Sequence, residues 1–134
     1  MKRRVSVMSA LLVLLSVAFA SAQSKQDGKY VFVISKVNYL KAIEDAVSQS
    51  KSEGLALSEA LVILCGESVK ALVEENPIIK KALQNPNIKV YACGLSLEQM
   101  NVDSKSLPKE VITVRNGILE AMKLERDGYK KFDL

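Results

Sequence analysis

Apolar positions arrive along this chain in two rhythms. Four short runs are apolar almost without interruption: YVFVIS (Tyr30–Ser35), ALVILC (Ala60–Cys65), IKVYAC (Ile88–Cys93) and VITV (Val111–Val114). Runs of this length, rich in β-branched and aromatic side chains, predict buried strands. Between them the period lengthens. In NYLKAIEDAVSQSKSEG, Leu40, Ile43 and Val47 recur three and four residues apart. That spacing predicts a helix with one apolar face, capped by Asn38 and stopped by Gly54. In ESVKALVEENP, Val69, Leu72 and Val73 share a face. Pro77 has no amide hydrogen, so it ends or breaks that helix, and Ile78–Gln84 forms another. SLEQMN reads as a short helical turn and VDSKSLP as a loop. The last helix, NGILEAMKLERDG, turns Ile118, Ala121 and Met122 inward, with Asn116 as cap and Gly128 as stop. The tail KKFDL adds a short edge strand.

Strands alternate with helices, and the strands are apolar throughout rather than at every second position. That combination predicts an α/β fold whose parallel sheet of four to five strands is covered on both faces. Neither an internal repeat nor a low-complexity tract interrupts it.

The chain has 134 residues, a length that fits one domain. Its start reads differently from the rest. MKRR is basic, Ala10–Ala20 is an apolar stretch too short to span a bilayer, and Ala20-Ser21-Ala22 resembles a cleavage site. We read residues 1–22 as a secretory signal peptide and 23–134 as the single mature domain, periplasmic or secreted, with no stable membrane insertion after cleavage.

Removing the leader changes the charge. Lys2, Arg3 and Arg4 account for three of the nineteen Lys and Arg, which leaves sixteen against fifteen Asp and Glu. A net charge near zero gives no basis for nucleic-acid binding.

The chemistry is narrowed by what is missing. The chain has no histidine, which excludes a Ser-His-Asp triad, a Cys-His dyad, an H-E-x-x-H zinc site and a His-ligated haem. No P-loop and no dinucleotide fingerprint is present, and no cofactor or metal is expected. The carboxylates fall mostly on solvated helix faces.

Two cysteines remain, in CGES and CGLS. Cys65 and Cys93 each end a strand, and each is followed by a glycine, Gly66 or Gly94, and a helix start. In a parallel sheet all strand C-termini share one edge, where ligands bind. A tight turn into a helix N-terminus offers unpaired amides that favour thiolate. Three readings stand side by side: a reactive thiol, a structural or redox disulfide, and two small buried hydrophobes. Ser68 and Ser96, three residues after each cysteine, shape the two turns or simply cap the helices.

VKALVEENP, IKVYACGLSLEQMNV and VITVRNGILEAMKLERDGY together resemble the DsrE/DsrF-like group of small sulfur-relay proteins. Cys93, Gly117, Gly128 and Tyr129 fall in that group's order, over nearly all of the mature chain. The resemblance implies a three-layer α/β/α sandwich that forms a homo-oligomer, most simply a dimer or trimer. It also implies a sulfur-handling role, with a persulfide on Cys93 that passes to or from a donor or acceptor protein thiol. Cys65 then serves as a resolving or lining residue, and Gly66, Ser68, Gly94, Ser96, Asn116 and Gly117 line the pocket. Where relatives carry histidine before the glycine of the second turn, this chain has Cys65. The alternative is a periplasmic binding or assembly module without turnover, its cysteines tied or inert.

Overall fold

The computed structural model describes residues 28–134, so the expected signal peptide lies outside the described residues. Five strands form one sheet: β1 (Gly28–Ile34), β2 (Leu57–Leu64), β3 (Ile88–Cys93), β4 (Ile112–Val114) and β5 (Lys130–Asp133). Their order is β4-β3-β2-β1-β5, and every neighbouring pair is parallel. The helices are α1 (Asn38–Ser50), α2 (Pro77–Gln84), α3 (Gly94–Gln99) and α4 (Gly117–Arg126), with 3₁₀ turns at Gly66–Leu72 and Ser104–Ser106.

The chain lays β1 to β4 outward in one direction and then returns to add β5 beside β1. A right-handed crossover in the reverse direction puts its helix on the opposite face of the sheet. The two faces are therefore unequal. On one, Ile34, Val62, Leu64, Val90 and Ala92 pack against α1, the first 3₁₀ turn, α2 and α3 through Leu40, Ile43, Val69, Leu72, Ile79 and Leu97. On the other, Val31, Leu61 and Ile63 lie under Ala121 of α4, with Leu124 and Tyr129 alongside. The result is an α/β/α sandwich with four helical segments on one side and one on the other. Among the described residues no helix is long and apolar enough to cross a membrane.

Local chemistry explains where these elements begin and end, and it revises several expectations. Asn38 is the first helical residue of α1 and makes no cap; Val37 precedes it without a side-chain bond. The helix stops at Ser50, whose hydroxyl donates to the Val47 carbonyl. Gly54, at φ +74°, sits in the turn beyond. Pro77 opens α2 rather than ending a longer helix, with the Asn76 side chain accepting from the amides of Ile78 and Ile79. A proline at the first helical position loses no bond that the helix needs. The stretch before it is a 3₁₀ turn that buries Val69 and Leu72 but leaves Val73 exposed. Asn116 does cap α4, accepting from Ile118 and Leu119 at 3.0 and 3.2 Å.

The largest revision concerns α4. Ile118 is 64% exposed and Met122 57%, whereas Ala121 is buried. Gly117, Ala121 and Leu124, four and three residues apart, form the stripe that meets the sheet. Small side chains there let the helix axis approach closely, so the larger residues of the neighbouring stripe face outward. The tail forms β5, whose Phe132 stacks on Phe32 with ring centroids 5.4 Å apart.

Candidate functional site

Strand register creates the site. The last register pair between β2 and β3 is Leu64 with Ala92, so the next residues, Cys65 and Cys93, stand side by side at the C-terminal edge of the sheet, Cys93 still paired with Val114 of β4. Alternation turns them to the face of Ile63 and Tyr91, the face that α4 covers. Cys65 packs with that layer. A methyl group on Gly117 would lie 2.8 Å from Ile63 Cγ2, 2.9 Å from Cys65 Sγ and 3.1 Å from Cys93 Cβ. Only a residue without a side chain can bring the start of α4 this close to both cysteines.

Gly117 does more than leave room. Its amide donates to Cys93 Sγ at 3.3 Å. It is the first residue of a ten-residue helix, where amides have no intrahelical acceptor and the positive end of the dipole is concentrated. Ser96 also supports the sulfur. Its hydroxyl oxygen accepts from the Gly66 amide at 2.8 Å, which leaves the hydroxyl proton for Cys93.

These contacts drive the two thiols apart in acidity. Burial opposes ionisation of Cys93 and is the largest single influence on it. The Gly117 amide, the Ser96 hydroxyl and amide and the Cys65 thiol together outweigh burial and hold the Cys93 pKa below its ordinary 9.0. Cys65 goes the other way. Burial, then the neighbouring Cys93 charge and the hydrogen bond toward it, push Cys65 up to about 12. Both thiols are free. One sulfur is thus prepared to carry charge, and its neighbour keeps a proton.

Of the eight residues expected at the site, Cys65, Cys93, Ser96 and Gly117 come together around the sulfurs. Gly66, at φ +55°, contributes its amide to Ser96. Asn116 holds the end of α4 that carries the donor. Gly94 packs on the end of β4, where a methyl group would lie 3.0 Å from the Val114 carbonyl oxygen. Ser68 belongs elsewhere: its hydroxyl shares a proton between the carbonyls of Cys65 at 2.6 Å and Ile34 at 3.2 Å, tying the 3₁₀ turn to two strand ends. Neither serine caps its helix through the expected side-chain bond.

The sequence placed the stabilising amides in the turn after Cys93. The Ser96 amide of that turn does contribute, but a further donor, Gly117, comes from the α4 turn, 24 residues on. The signal for it was the pair Asn116-Gly117, a cap residue followed by a glycine at a helix start. A cleft of about 370 Å³ opens between α3 and β4, lined by Gly94, Leu97, Thr113 and Arg115, and neither cysteine lines it. Among the described residues no group of three or more His, Cys, Asp or Glu is placed to hold a metal ion.

No protein-family model and no curated protein matches the chain. Solved structures do. A protein of unknown function from Methanobacterium thermoautotrophicum, MTH1491, superposes with a TM-score of 0.65 at 15% identity, covering 81% of this chain and 100% of its own. A conserved protein of unknown function from Bacteroides thetaiotaomicron, BT1422, gives 0.59 at 18% identity, covering 85% of this chain and 100% of its own. At these identities the likeness is one of fold.

Proposed function

We propose that the chain is an exported, DsrE/DsrF-like sulfur carrier that holds a sulfane sulfur on Cys93. The observation that carries this reading is the Gly117 amide on Cys93 Sγ. A hydrogen bond to the charged form, at a helix N-terminus, favours thiolate, and thiolate is the form that attacks sulfur. The positive end of the α4 dipole that favours the thiolate also favours the negative charge a persulfide carries on its outer sulfur, one bond farther out. The cysteine, glycine and Gly-Tyr order along the chain is the second support, and it links this site to the sulfur-relay group.

The chemistry follows thiol–disulfide exchange. The Cys93 thiolate attacks the outer sulfur of a donor persulfide or polysulfide. The S–S bond of the donor breaks, and the donor thiolate leaves with the bonding pair and takes up a proton. A partner thiolate later attacks the outer sulfur of Cys93–S–SH, and Cys93 departs as thiolate. The narrow access to Cys93 suits a thin sulfur chain better than a bulky substituent.

The test is mass spectrometry of the mature protein after incubation with inorganic polysulfide. Addition of sulfur to Cys93, absent in Cys93→Ser and transferable to a small thiol, is the expected result. A folded protein that takes up no sulfur, or takes it up equally without Cys93, overturns the proposal. Export is tested separately by N-terminal sequencing of protein recovered outside the cytoplasm, with Gln23 expected first.

A further inference from the structure

The carrier role needs one cysteine, and the sheet edge holds two. Cys65 and Cys93 follow the last register pair of adjacent parallel strands. Neighbouring strands lie about 4.8 Å apart, inside the range of roughly 4.4–6.8 Å that Cα atoms span in a disulfide. Both side chains lie under the same residue, since a methyl on Gly117 would meet Cys65 Sγ at 2.9 Å and Cys93 Cβ at 3.1 Å. The hydrogen bond of the Cys65 thiol is made with Cys93.

We propose that Cys65 is a resolving thiol, which gives the Cys93 persulfide a second fate: release of its outer sulfur as hydrogen sulfide. This rests on the carrier reading of Cys93. Cys65 first gives up its proton and, as the thiolate, attacks Cys93 Sγ. A Cys65–Cys93 disulfide forms and the Sγ–S bond of the persulfide breaks. Its bonding pair leaves with the outer sulfur as hydrosulfide, which takes the proton that Cys65 gives up. In sum, Cys65–SH and Cys93–S–SH become the disulfide and H₂S. The outer sulfur is reduced at the expense of the two cysteines, and no external oxidant enters. A thiol or dithiol reductant then returns both thiols for another round. With a protein thiol acceptor present the chain passes sulfane sulfur on; without one it converts that sulfur to sulfide and rests oxidised.

The protonation states of the pair fit this order of events. Cys65 holds its proton more tightly than Cys93 does, so it does not compete with Cys93 for the donor. It also holds the proton that the departing hydrosulfide requires.

The decisive experiment is a single turnover on the full mature chain, fully reduced, freed of reductant, and given inorganic polysulfide in less than one equivalent. Sulfide release and the intact mass are followed together, with peptide mapping of the product. Wild type should lose the added sulfur, release one sulfide per sulfur taken up, and end with an intramolecular Cys65–Cys93 disulfide. Cys65→Ser and Cys65→Ala, each checked for folding by circular dichroism, should load Cys93 and hold the persulfide, with sulfide release down at the level of Cys93→Ser. A wild-type persulfide as long-lived as that of the Cys65 variants overturns the resolving role and leaves the carrier reading intact. A disulfide between chains rather than within one overturns it as well. Failure of wild type and both folded Cys65 variants to take up sulfur removes the carrier reading, and the resolving role with it.

Discussion

The Gly117 amide reaches the Cys93 sulfur at 3.3 Å across 24 residues of sequence. The helix cap at Asn116, the first turn of α4 and the end of β3 are thereby joined at one atom. Enlarging Gly117 breaks the arrangement. The added methyl of Gly117→Ala falls within 3.1 Å of Ile63, Cys65 and Cys93, so α4 must lift or the strand ends must move. We expect a loss of about 1–3 kcal/mol, the usual range for overpacking, seen as a lower urea midpoint. Cys93 alkylation at neutral pH should slow in the same variant. Unchanged stability together with unchanged reactivity would show that the helix does not press on the cysteines.

Reactivity should divide between the two thiols. The Cys65→Ser chain keeps the Gly117 and Ser96 donors that lower the Cys93 pKa, so iodoacetamide should modify Cys93 at neutral pH. In Cys93→Ser the remaining Cys65 loses the neighbouring charge but not its burial, the first cause of its rise. Its reaction should therefore appear only at strongly alkaline pH. Rates measured from pH 6 to 11 on both variants decide the matter, and superimposable profiles would contradict the assignment.

Ser96 links two turns through one hydroxyl. Ser96→Ala removes the acceptor of the Gly66 amide, and an unsatisfied partly buried amide costs about 1–3 kcal/mol. It also removes a donor toward Cys93. The variant should be less stable in urea, and the midpoint of its Cys93 pH–rate profile should lie higher than in wild type. A stability loss without a higher midpoint would confine Ser96 to a structural role.

The Cys65 shift carries a stability consequence with a definite sign. Its folded value, about 12, lies above the 9.0 of the unfolded chain. The unfolded chain therefore gives up this proton first as pH rises. The associated stability is complete below pH 9 and is lost progressively between about pH 9 and 12. Tyr129, also raised to about 12 by burial and by Glu59, contributes in an overlapping window. Cys65→Ser should consequently lose less stability than wild type on going from pH 8.5 to 11, measured by thermal unfolding. A steeper loss in the variant would reverse the sign and refute the argument.

Self-association is expected on the outward face of α4. Ile118, Leu119 and Met122 on α4 and Ile112 on β4 are between 49% and 64% exposed. We propose a second copy of the chain as the occupant, in line with the oligomers that the sulfur-relay resemblance implies. Light scattering at micromolar concentration should give a multiple of the monomer mass, and Ile118→Asp with Met122→Asp should return it to the monomer. A wild-type monomer would refute this.

Residue order by itself determined the strands, the helices and their alternation, because an uninterrupted apolar run has few alternatives to a buried parallel strand. It also determined that both cysteines end strands and are followed by glycine, which places them at the C-terminal edge of any parallel sheet. It did not distinguish the two apolar stripes of α4. Ile118 and Met122 look as suited to a core as Ala121, and the choice went to the stripe whose small residues allow close approach. Nor did it reveal that β2 and β3 are neighbours, since strand order depends on which crossovers pack together. That adjacency brings Cys65 to Cys93, and the return of the chain to β5 lays α4 over both. The acidity of each thiol is decided at this level alone: two similar Cys-Gly turns acquire opposite shifts because the donors of Gly117 and Ser96 meet one sulfur and leave the other buried beside it.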